Sequence, residues 1–85
     1  MKHRILDLRA ARKRQGWTLR EVAEMVWSKA PTLSQVENGL REPSPVLAQR
    51  LAALYGVSRI TVYRWYLRTV LKVRKPKLIG RRSLG

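Results

Sequence analysis

Eighty-five residues allow one small domain, which at this size buries only about two-thirds of its unfolded surface. There is room for one modest core and little for a deep substrate pocket. The chain has no cysteine and one histidine, so disulfide scaffolds and thiolate metal sites are excluded. Nineteen Lys and Arg against five Asp and Glu give a net charge of +14, which points to a polyanionic partner.

Residues 4–15, "RILDLRAARKRQ", read as a first helix. Ile5, Leu8 and Ala11 or Arg12 set the spacing, basic residues crowd the last turn, and Gly16 suits the position after its end. "WTLREV" then carries a capping-box signature: Thr18 can accept from the third helical amide while Glu21 reaches back, and Trp17 can staple onto Val22. A second helix is expected over about 19–26, with Val22, Ala23 and Val26 inward. "WSKA" makes a short turn, and a third helix follows over about 31–38. Pro31 is tolerated in its first turn, and Gly39 ends it as a left-handed cap.

Ser44-Pro45 starts a fourth helix over about 45–55, seamed by Leu47, Leu51 and Leu54 and stopped by Gly56. Ser58 caps a fifth, which runs to about 72. Beyond it, "KVRKPKLIGRRSLG" is rich in Lys and Arg, and residues 72–85 are expected to form a basic, flexible tail on a domain of residues 1–71. Residues 43–85 hold ten basic and no acidic residues, whereas residues 1–42 hold nine basic and all five acidic ones.

The third helix is too short and polar to hold a core together, but it suits a DNA major groove. Leu33 and Val36 would seat it, leaving Thr32, Ser34, Gln35 and Asn38 outward. "TLREVAEMVWSKAPTLSQVENGLREPS" resembles the helix-turn-helix of the lambda-type phage repressor and Cro family, without gaps from Gly16 to Ser44. The resemblance covers about residues 4–67 and implies an all-α, compact five-helix repressor-like bundle. It places Ala30, Pro31 and Gln35 at base-reading positions, with Thr32 and Ser34 at neighbouring contacts. It also implies that Asn38 offers its backbone amide to a phosphate, and that Glu37 pairs with Arg12 as a structural ion pair. Thr18, Arg20, Lys29 and Arg41 complete the expected phosphate contacts.

Three features depart from the family pattern. Leu19 replaces a phosphate-clamping Gln, Trp27 stands where the turn usually has Gly, and Ala30 and Pro31 offer no hydrogen bonds. Gln35 is left as the one strong base reader, expected to favour adenine with about 1–3 kcal/mol of discrimination.

A second register is open. "LAQRLAALYGVSRITVYRWYLR", residues 47–68, resembles the resolvase and invertase helix-turn-helix, with Arg59, Thr61, Tyr63 and Arg64 as polar readers and Arg68 adding charge. Alternatively, these two helices simply close the bundle. In the fifth helix, Ile60, Tyr63, Leu67 and Val70 can face the core, leaving Val62, Trp65, Tyr66 and Leu71 partly on other faces as candidates for a homodimer contact.

Catalysis finds no foothold. His3 sits in an expected fraying terminus, and the five carboxylates are better explained as cap, ion-pair and surface groups, so no enzyme activity, cofactor or metal is expected. No apolar run approaches the roughly 20 residues of a membrane span, and "MKHRILDLRAARKRQG" lacks a signal-peptide core.

The sequence therefore predicts a cytoplasmic, nucleoid-associated regulator of bacterial or phage type that binds double-stranded DNA as a dimer. The alternative is a protein-binding adaptor docking its fifth helix and tail onto transcription machinery or a toxin, with Trp65 and Tyr66 as the hot spot. Non-specific packaging or RNA binding is a third reading, permitted by the charge.

Overall fold

The computed structural model describes residues 5–73. Within them the chain forms five helices and no strand: α1 Leu8–Gln15, α2 Leu19–Met25, α3 Ala30–Glu37, α4 Pro45–Tyr55 and α5 Arg59–Val73. None is long and apolar enough to cross a membrane. His3 and residues 74–85 of the expected tail lie outside the described residues, whereas Lys72 belongs to α5.

Local capping chemistry sets most boundaries. In α2 the Thr18 hydroxyl accepts from the Glu21 amide at 3.1 Å, and the Thr18 amide donates to Glu21 Oε1 at 2.8 Å. Each bond satisfies a donor that the helix cannot. Ser44 accepts from the Leu47 amide to open α4, and Ser58 accepts from that of Thr61 to open α5. The first helix starts four residues later than its apolar spacing predicts. Asp7 is the reason: its carboxylate accepts from the Ala10 amide at 2.8 Å, so Asp7 is a cap and Ile5 lies ahead of the helix.

One core joins all five helices: Leu8 and Ala11 from α1, Val22 and Ala23 from α2, Leu33 and Val36 from α3, Leu47, Ala48 and Leu51 from α4, and Val62 and Trp65 from α5. Helix α2 packs on α3, while α4 packs on α5, which also touches α1 and α3. Trp17, Tyr55 and Trp65 make an aromatic run with successive centroids 6.2 Å apart, supplying bulk in a chain without Phe. Burial, with the nearby negative charge of Glu37, pushes the Tyr55 hydroxyl above its ordinary pKa against the opposing effect of Arg12.

The face that α5 turns inward differs from the expected one. Val62 and Trp65, expected at a dimer contact, are buried in the core, and Tyr66 is half-buried. Ile60 and Leu67, expected to face the bundle, are exposed together with Leu71. Gly39 contributes to this outcome. Its φ is +74°, and a Cβ there would come within 3.3 Å of Thr69 and of the Val70 backbone. Any other residue would strain the left-handed backbone and push Thr69 or the α5 backbone back by a few tenths of an ångström.

Candidate nucleic-acid interface

Helix α3 has a fixed inner side and an open outer one. Leu33, Val36 and Glu37 are buried, while Pro31 and Gln35, one turn apart, are exposed. Ala30, Thr32 and Ser34 flank them at intermediate exposure. The outer face therefore presents a side-chain amide and two hydroxyls around a rigid ring. Arg41, from the loop after α3, reaches back so that its Nη1 lies 3.5 Å from Gln35 Oε1.

Arg12 anchors this helix from behind. Its Nε lies 2.9 Å from Glu37 Oε2, its Nη2 donates to Oε1 at 3.1 Å, and its Nη1 donates to the Trp17 carbonyl at 3.0 Å. One guanidinium thus ties α1 to the last turn of α3 and to the entry of α2. The Glu37 side chain is only 2% exposed, so the pair orients α3 and is inaccessible to a ligand.

Asn38 is placed differently from the family-based expectation. Its backbone amide donates to the Ser34 carbonyl at 3.0 Å and is occupied within the helix. Its side chain accepts from Arg9 Nη2 at 2.7 Å and lies 3.4 Å from the Ser34 hydroxyl. Arg9, exposed on α1, is thereby brought beside α3. No sequence motif singles it out, because the contact joins residues 29 apart.

Around α3, Thr18, Arg20, Lys29 and Arg41 are all exposed. Lys29 is the N-cap residue of α3 but makes no side-chain cap. The turn before it holds Trp27 at φ +56°, and Arg50 of α4 donates to the Val26 carbonyl at 3.4 Å. An open groove of about 150 Å³ runs here between Trp27, Thr32, Val46 and Arg50.

The second register fares less well. Of its expected polar readers, Thr61 and Tyr63 are half-buried, and the Thr61 hydroxyl is 3.1 Å from that of Ser58. Arg59, Arg64 and Arg68 are exposed, but Arg59 projects well away from the side shared by Arg64 and Arg68. With Val62, Trp65 and Thr69 buried along its length, α5 closes the bundle. Among the described residues no group of three or more His, Cys, Asp or Glu could hold a metal ion.

Two short helices joined by a tight turn, the second exposing a polar face, define a helix-turn-helix protein. A family model described as helix-turn-helix matches residues 8–61, and the chain belongs to that family, of the Cro type. It is also similar to the competence pilus inhibition repressor of Acinetobacter baylyi (strain ATCC 33305 / BD413 / ADP1), 35% identical over 51 residues. That alignment covers 60% of this chain and 46% of the relative, so the chain spans less than half the length of the curated relative it matches. No solved structure matches.

Proposed function

We propose that this DNA-binding transcriptional regulator is sequence-specific and acts as a repressor, with α3 in the major groove of duplex DNA. The observation that carries this reading is the division of α3. Its inner side is locked by Leu33, Val36 and the Arg12–Glu37 pair, while Gln35 stands exposed at the centre of its outer side. Gln35 reads a base through its amide, preferring adenine, with Pro31 and Ala30 against thymine methyls and Ser34 and Thr32 beside them. Arg41 steadies the Gln35 oxygen and meets a phosphate with its remaining donors.

Lys29, Arg20 and the Thr18 hydroxyl proton complete the backbone contacts. Arg9, held against Asn38, takes the phosphate position that the Asn38 amide does not fill. Two copies related by a two-fold axis present two α3 helices about 34 Å apart, one DNA turn. The repressor relative supports the direction of regulation: a protein seated on a promoter blocks access to it. Such a regulator works in the cytoplasm of its cell, where the DNA is.

Selection from random duplexes at about 150 mM salt, where long-range phosphate attraction is screened, tests the reading. The expected result is an enriched motif with half-sites about one turn apart. Gln35→Ala erases one position of the motif, costing about 1–3 kcal/mol there, whereas Arg59→Ala leaves the motif intact. Failure to enrich any motif would overturn the specific reading.

The five Lys and Arg of residues 74–85 add affinity through counterion release. Removing these residues is expected to lower the slope of log affinity against log salt by up to about four to five, with the selected motif unchanged. A changed motif would show that the segment reads bases.

A further inference from the structure

Trp27 closes the capping turn of α2, its amide donating to the Glu24 carbonyl at 3.3 Å and that of Ser28 to the Ala23 carbonyl at 2.8 Å, at a position where glycine is the usual residue. Its φ of +56° lies in the left-handed region, which glycine adopts freely and a bulky residue does not. The indole itself gains nothing by burial: Trp27 is 82% exposed. The other two tryptophans pack against Tyr55 inside the bundle. A strained backbone carrying an open indole motivates a search for what the side chain meets outside the fold.

Its surroundings narrow the choice. Trp27 lies three residues before α3 and shares a groove with Thr32, on the flank of the base-reading face, and with Val46 and Arg50. That groove is lined by apolar, hydroxyl and cationic residues and by no carboxylate. Lys29, exposed, is two residues away.

Three residues reach at most about 10–11 Å, less than the roughly 12 Å width of the major groove. With the N-terminus of α3 against base edges, that reach exceeds the groove's depth of roughly 8.5 Å, so the Trp27 side chain can meet the sugar–phosphate strand at the rim.

From this we infer that Trp27 is a DNA contact, its indole packed on the deoxyribose faces of the strand at the rim while Lys29 and Arg50 meet the phosphates on either side. The inference rests on the DNA-binding reading above. It makes Trp27 a source of affinity without base preference, since every nucleotide offers the same sugar. The ring N–H has a phosphate oxygen within its reach as an acceptor.

The full chain, its Trp27→Gly and Trp27→Tyr variants, and fluorescently labelled duplexes from the selection provide the test. Trp27→Gly relieves the left-handed strain, so it should melt no lower than the parent while binding every duplex about tenfold more weakly. The slope of affinity against salt should stay the same, because no charge is lost. Trp27→Tyr should retain most of the affinity. As the most exposed of the three indoles, Trp27 should dominate acrylamide quenching, and bound DNA should shield it.

A Gly variant that binds as tightly as the parent, or an indole equally open to acrylamide in the complex, overturns the inference and leaves DNA binding standing. A parent chain that binds no duplex overturns both.

Discussion

Arg12→Ala is expected to cost about 3–5 kcal/mol of folding stability. The guanidinium makes three close contacts with the Glu37 carboxylate and one with the Trp17 carbonyl. Removing it strands a carboxylate whose side chain is 2% exposed, with neither water nor a counter-charge to replace what is lost. A domain of this length has only about 4–13 kcal/mol in total, so the variant should be largely unfolded at physiological temperature.

Urea denaturation of the parent and variant measures the difference. The double variant Arg12→Met, Glu37→Leu provides the contrast: with both charges gone it should recover most of the loss. Recovery would assign the pair to orientation of α3 rather than to net stability, and DNA affinity of the recovered variant would then report how much that orientation matters. A single variant within about 0.5 kcal/mol of the parent, as at ordinary surface sites, would mean that Glu37 finds water and that the pair does not hold α3.

That pair joins residues 25 apart and is expected only from the family resemblance, whereas the helix boundaries can be read from the residues themselves. From Trp17 to Pro45 nearly every boundary has a chemical mark within four residues: Thr18 with Glu21, Gly39 after α3, Ser44 before Pro45. Capping acts over one helical turn, so it is visible in a linear string. The inward face of α5 carries no such mark. Ile60, Tyr63, Leu67 and Val70 make as good a helical seam as Val62, Trp65 and Thr69, and the latter contains a threonine that looks like a surface residue.

Tertiary contacts decide between the two faces. Trp65 meets Tyr55 of α4, Thr69 lies under Gly39, and the Thr69 hydroxyl is satisfied by the Trp65 carbonyl at 3.3 Å, which makes its burial tolerable. The start of α1 is hidden for a related reason. Ile5 and Leu8 have helical spacing, but a cap at Asp7 overrides periodicity. The Arg9–Asn38 contact spans 29 residues and has no local signature at all.

The corrected face of α5 leads to the second large effect. Leu67→Asp is expected to break the two-fold dimer proposed above into folded monomers and to weaken binding to a two-half-site duplex by about 10²- to 10⁴-fold, the range that tethering two sites provides. Ile60, Leu67 and Leu71 are exposed and recur at spacings of seven and four, forming one apolar stripe edged by Arg64. Leu67 is 54% exposed, so a carboxylate there costs the monomer little, while two such carboxylates facing each other across a two-fold axis repel.

Trp65→Ala gives the opposite pattern. It removes a core aromatic, so about 3–5 kcal/mol of stability should go before any change in association. Sedimentation equilibrium of both variants, paired with binding to duplexes carrying one or two half-sites, separates the cases. Leu67→Asp should match the parent on a single half-site and lose only the gain from the second. If it stays dimeric, the stripe on α5 is not the contact, and the two-fold arrangement must be built from another face. If it is monomeric yet binds two half-sites as tightly as the parent, each copy of α3 finds its site independently, and spacing between half-sites carries no information.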